Sequence, residues 1–263
     1  MKKKSFNFSF KSNFFKEQDP FHLVVAFFII FFGTAIFFSI PTFYDYEKYN
    51  QKIEDAINKD YKINLHNLED ISFRFIPSPH LFIKKADFKI NKNEKEIISE
   101  FKNIRVFISI IDFYQKDKFK IKRMVVNKAN IYLNNDSLKN LINNLKTNIV
   151  NLLKIKKSTL FFKDKKGEII LISKIKELDY KIDFINNKKI FNINGNIFDS
   201  NYEFKYLIDY RQPNRQNILF ELVDPNLFIE NTLTKKKFEE KVEKLGDLNI
   251  GFLNQKNNIK YII

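Results

Sequence analysis

The chain has no cysteine, no tryptophan, five glycines, three histidines and only five arginines in 263 residues. Without cysteine there is no disulfide framework and no thiolate metal site, and thiol usage says nothing of the redox compartment. Gly33, Gly167, Gly195, Gly246 and Gly251 are too scattered for a loop that cradles phosphate. His22, His66 and His80 never fall at metal-ligand spacing, no HExxH occurs, and no serine sits in a G-x-S-x-G elbow. His80, beside Pro79, reads as a surface or turn histidine. Acidic residues are plentiful, but no pattern pairs them into a catalytic dyad. These absences lead to the expectation of a protein that is not an enzyme and uses no cofactor and no metal.

What is abundant is Lys, Asn, Ile and Phe, with 31 phenylalanines and a net charge of +15. A genome rich in A and T favours the codons for these four residues. The positive charge is almost all lysine, since Arg74, Arg105, Arg123, Arg211 and Arg215 are the only arginines. Nucleic-acid readers lean on the arginine fork for phosphate and guanine. Here the lysines are also spread along the chain and mixed with Asp and Glu. The reading is a solvated basic surface with no nucleic-acid partner.

Residues 21–40, FHLVVAFFIIFFGTAIFFSI, carry no Asp, Glu, Lys or Arg. At about 1.5 Å per residue such a helix matches the roughly 30 Å of a hydrocarbon core. The run is longer than a signal-peptide core, and FFSIPTFYDY offers no small-residue cleavage site. Lys2, Lys3, Lys4, Lys11 and Lys16 precede it, whereas Asp45, Glu47, Glu54, Asp55 and Asp60 outnumber the lysines after it. The lysine-rich side stays in the cytoplasm. The resulting expectation is a bacterial inner-membrane protein with a cytoplasmic tail (1–20), a single transmembrane helix (21–43) and a periplasmic bulk.

Beyond the span, Tyr49, Ile53, Ala56 and Ile57 give residues 44–60 the spacing of an amphipathic exit helix. Residues 61–263 then read as one β-rich domain. Period-two alternation recurs at Ile71, Phe73 and Phe75, at Phe88 and Ile90, and at Ile104, Val106 and Ile108. It recurs again on the odd positions Phe119, Ile121, Val125, Ala129, Ile131 and Leu133. Such alternation marks half-buried antiparallel strands. A helix is predicted over 136–155 with Asp136 as its N-cap, and another over 225–245. The fold class is mainly β with a few short amphipathic helices: a transmembrane helix followed by a curved, mostly antiparallel sheet.

The order of these elements resembles the N-terminal region of the AsmA-like family. The resemblance rests on Pro77-Ser78-Pro79-His80-Leu81-Phe82-Ile83, on Ile121 to Leu133 with Ala129 in a small-or-proline slot, and on Ser158-Thr159-Leu160-Phe161-Phe162-Lys163-Asp164. It covers about residues 20–260. It implies a taco-like β-groove that conducts phospholipid between inner and outer membranes during outer-membrane biogenesis. An alternative is a non-catalytic periplasmic scaffold that binds other envelope proteins through exposed sheet edges. Family members are longer, so 61–263 is expected to be an incomplete domain. A dozen strands at about 4.8 Å make a groove of roughly 50–60 Å. The groove lining is expected nearest the membrane, at Ile71, Phe73, Phe75, Phe88, Ile90, Val106, Ile108, Phe119 and Ile121. On that reading a charge at Ile108 leaves the protein folded but empty of lipid, whereas in a closed core it unfolds the domain.

Overall fold

The computed structural model describes residues 20–61, 64–89, 99–109, 112, 120–145, 152–212, 215–238, 241–252 and 255–262. Two compact units divide the chain, Met1–Tyr44 and Asp45–Ile263. In the first, helix α1 (Pro20–Ser39) runs into a 3-10 turn at Ile40–Phe43. The stretch Phe21–Phe43 is long and apolar enough to cross a membrane, and most of its large apolar side chains are exposed. The Thr34 and Ser39 hydroxyls donate to the carbonyls of Ile30 and Ala35 at 2.7 Å, so both are satisfied inside the helix.

The second unit contains helix α2 (Asn50–Tyr61) and a twelve-stranded sheet. Its first six strands are β1 (Asn64–Arg74), β2 (His80–Lys89), β3 (Ser99–Ile108), β4 (Ile121–Leu133), β5 (Leu152–Lys163) and β6 (Ile169–Asp183). The other six are β7 (Lys188–Ile197), β8 (Ser200–Asp209), β9 (Arg215–Leu222), β10 (Leu227–Phe238), β11 (Lys241–Phe252) and β12 (Gln255–Ile262). Their spatial order is their chain order, and the sheet is curved and open. Every neighbouring pair is antiparallel except β4–β5. A parallel pair needs a crossover, which here contains helix α3 (Asn135–Leu145). Asn134 caps α3: its Oδ1 accepts from Ser137 N at 2.8 Å while Ser137 Oγ accepts from Asn134 N at 2.7 Å.

Besides local shifts at His66/Glu69, Phe107/Ile108 and Phe162/Lys163, strict alternation fails along one line that crosses the first six strands. Ile71 pairs with Ile83 and Glu69 with Lys85, so Asp70 and Lys84 slip together. The same step recurs at Asn103 opposite Asn127, and at Lys157 opposite Lys176. It ends as a one-sided bulge where β6 meets β7, between Ile175 and Glu177. Asp70, Asn103 and Lys157 take positive φ of 53°, 52° and 50° there. Such irregularities bend a strand and increase its twist. Polar side chains close the gaps. Ser158 Oγ accepts the Ala129 N–H at 2.9 Å, and Asn127 Nδ2 donates to the Asn103 carbonyl at 3.3 Å.

The structure corrects three sequence expectations, one of phase and two of extent. In β4 the buried residues are Ile121, Met124, Val126, Ala129, Ile131 and Leu133, so Val125 belongs to the opposite face. Residues 152 and 153, predicted to end a long helix, instead begin β5, paired with Arg123 and Met124. Residues 225–245 are not helical in their described part. They form β10 and the start of β11, an antiparallel hairpin running from Leu227↔Phe252 to Phe238↔Lys241.

The register places one apolar face along all twelve strands. In the first four it carries Leu65, Ile71, Phe73, Leu81, Ile83, Ile104, Val106 and Met124, all buried. Helix α2 is seated on this region through Ile53, Ile57 and Tyr61, also buried. Polar contacts fasten it from β1 to β5. Asn58 exchanges two hydrogen bonds with the Leu65 backbone at 2.7 and 3.0 Å, and Asn50 Nδ2 donates to Leu68 O at 2.9 Å. Asp60 Oδ2 accepts from Ile121 N at 3.3 Å, and the Tyr61 hydroxyl donates to Leu152 O at 3.2 Å. Burial, with Asp60 nearby, pushes the Tyr61 phenol up, so it remains a donor. Ile108 is 5 % exposed. Ile108→Glu is therefore expected to destabilise the domain by about 3 kcal/mol or more, because an unpaired carboxylate is forced into an apolar interior. Urea denaturation of the full chain in detergent, followed by circular dichroism, checks this, and an unchanged midpoint would place Ile108 on an open face.

Candidate functional site

The residues expected to line a groove share one face but lie in its covered part. Ile71, Phe73, Phe88, Val106, Ile108 and Ile121 are all buried. Phe75 lies outside the ladder, in the β1–β2 connection, and is 48 % exposed. Ile90 and Phe119 fall outside the described residues.

The same apolar face continues where no helix packs on it among the described residues. The last fully buried ring is Tyr180 on β6. Register carries the face onward from it through Phe191, Tyr206, Ile218, Asn231 and Leu248. A second row runs through Leu178, Ile193, Phe204, Phe220, Ile229 and Ile250. From β7 to β11 these side chains are half-buried, where their counterparts in β1–β4 are fully buried. Aromatic rings form a path across four strands. Tyr180 and Phe191 lie 6.4 Å apart, Phe191 and Phe204 6.3 Å, and Tyr202 and Phe220 5.9 Å. These are the separations of favourable ring pairs.

Gly195 shapes this surface. A Cβ there would meet Lys174 O at 2.3 Å and the Tyr202 ring at 2.7 Å, so the missing side chain lets Tyr202 lie flat over the strand. The Tyr202 hydroxyl meets Ser173 Oγ at 2.8 Å. At one end of the face Lys189 is buried, with its ammonium 5.5 Å from the Tyr180 ring centre. Burial pulls its pKa down. The reverse face is mostly polar, with Ile190, Leu207, Leu219 and Phe228 set among its charged and amide side chains. Lys154 bridges Glu177 and Asp179, Lys205 pairs with Glu203, and Asn258 donates to Asp247 at 2.6 Å.

Five strands of open apolar surface span roughly 20 Å at about 4.8 Å each. One leaflet's hydrocarbon is roughly 15 Å deep, half of a bilayer core. The face is thus wide enough for an acyl chain laid across the strands. Its alternation was visible in the sequence. What was not visible is that α2 covers the first strands and leaves the later ones bare. Among the described residues no cluster of three or more His, Asp or Glu side chains is arranged to hold a metal ion. Compared with known protein families and with curated proteins, the chain matches none.

Of the reading of His80 as a surface or turn histidine, the surface half is corrected: it stands at the end of the β1–β2 turn but is 2 % exposed. Its Nδ1–H donates to Ser78 O at 2.7 Å, and its ring lies 5.2 Å from that of Phe107. Burial lowers its pKa, the bond to Ser78 opposes this, and Arg105, Arg74 and Arg123 lower it further. The unfolded chain therefore takes up a proton near pH 6.5 that the folded protein resists. Stability is expected to fall as pH drops through 6.5 towards the lower folded value. The wild type should lose more of its urea midpoint between neutral and mildly acid pH than His80→Gln does, and equal losses would contradict the assignment.

Proposed function

We propose that this chain is a membrane-anchored β-groove protein that holds phospholipid acyl chains on the apolar face of β7–β11. The observation that carries the reading is the continuation of one apolar face past the end of its helical cover. Large apolar surface left uncovered marks a binding site. Each methylene moved onto such a face gains about 0.8 kcal/mol. The order of span, exit helix, Pro77-Ser78-Pro79 turn and later strands supports an AsmA-like role. In that role the sheet lies in the periplasm of a two-membrane bacterium, held to the inner membrane by residues 21–43. It shields lipid tails during outer-membrane biogenesis and does no covalent chemistry.

A second reading has one observation in its favour. Among the described residues β12 pairs only with β11, so its far side is an open edge that a strand of another envelope protein can extend. Extraction separates the two. With a protease site inserted at the Tyr44/Asp45 boundary, the Asp45–Ile263 unit is released after purification and its organic extract examined by mass spectrometry. Stoichiometric phospholipid is expected. Recovery of one protein partner with no lipid would favour the scaffold and overturn the acyl-chain reading.

A further inference from the structure

On the polar face of β1–β4, beside the β1–β2 turn, three of the five arginines converge. Register sets two rows across the strands. Arg74, His80, Phe107 and Arg123 make the outer row, and Ser72, Phe82, Arg105 and Val125 the inner one. The Arg74 guanidinium carbon lies 3.5 Å from the centre of the Phe82 ring, and that of Arg123 lies 3.9 Å from the Phe107 ring. Arg105 stands directly across the ladder from Phe82.

Among the described residues none of these arginines is paired with a carboxylate. The acidic groups four and five residues along the same strands are already taken. Asp70 holds Lys84 at 2.7 Å, Glu69 holds Lys85 at 3.5 Å, and Glu100 holds Lys102 at 2.7 Å. His80, buried between the arginines, adds no charge at neutral pH. Three positive charges gathered at one end of four neighbouring strands repel one another, so shielding the rings is not reason enough for them. Lysine does that elsewhere in this lysine-rich chain, where Lys163 lies 4.9 Å over the Tyr132 ring. Arginine adds a planar fork whose donors match phosphate oxygens while its face stays stacked on the ring.

The turn beside this patch exposes two apolar side chains. Phe75 is 48 % and Ile76 73 % exposed, and both lie in the connection between Arg74 and His80. Apolar tips flanked by unpaired cations suit the boundary between headgroups and acyl chains. We propose that Arg74, Arg105 and Arg123 bind lipid headgroup phosphates, and that with Phe75 and Ile76 they dock this end of the sheet on a bilayer surface. The site lies on the opposite face from the proposed acyl-chain surface, so either assignment can fail alone.

The absence of cysteine allows a single label. The full chain carrying Ile76→Cys with an environment-sensitive fluorophore is reconstituted in two kinds of vesicle: phosphatidylcholine with phosphatidylglycerol, or phosphate-free galactolipid. A blue shift is expected in the phospholipid only, weakened by high salt and lost in Arg74→Gln, Arg105→Gln and Arg123→Gln. The comparison of lipids in the otherwise wild-type chain decides the matter even if a variant misfolds. The same shift in both lipids, or in neither, overturns the proposal. Reversal of the shift by inorganic phosphate would assign the arginines to a free anion and overturn the bilayer as occupant.

Discussion

A sheet with one apolar face has to hide that face, and in this domain α2 is the helix seated across it. Burying Ile53 and Ile57 contributes about 1.5–3 kcal/mol each. The side chains of Asn50, Asn58, Asp60 and Tyr61 meanwhile satisfy backbone groups from β1 to β5. The helix is 12 residues long, about 18 Å at 1.5 Å per residue. That spans about four strands at roughly 4.8 Å. So short a helix reaches only the first strands and leaves the later ones with an apolar face and no described helix upon it. A buried core and an available apolar surface thus occupy the same face of the same sheet, divided near Tyr180.

The two faces also separate chemistry. Lysine and carboxylate ladders on the polar face keep it solvated and give charged side chains partners across the strands. The break in that pattern is the arginine patch beside His80, where ring stacking replaces ion pairing. Headgroup and tail recognition would then be assigned to opposite faces, with the boundary between them set by the pleat itself.

Strand identity was legible wherever Ile and Phe alternate with Lys and Asn, because side-chain direction alternates with the pleat. Phase was not legible, because the slip line at Asp70, Asn103 and Lys157 adds a residue that polar side chains tolerate without a marker in the pattern. Val125 was misplaced for that reason. The β10–β11 hairpin was misread because its run of Lys and Glu favours helix locally, and pairing to β9 and β12 overrides that preference. Leu152 and Leu153 extend the helical spacing of α3 on paper, yet parallel pairing with β4 draws them into β5. The sequence points to a groove lining nearest the membrane because no sequence signal says how far a helix reaches across a sheet. The same apolar alternation runs through the covered and the open halves, and the cover is what divides them.

The central claim is that the apolar face of β7–β11 is open to acyl chains while its reverse is not. A photo-crosslinking amino acid placed in turn at Phe204, Phe220 and Lys205, in cells that make the full chain, tests it most directly. Phe204 and Phe220 lie on the apolar face, and Lys205 points to the other. The account predicts phospholipid adducts at Phe204 and Phe220 and none at Lys205. Adducts in equal yield at all three positions, or protein adducts alone at Phe204 and Phe220, would contradict it.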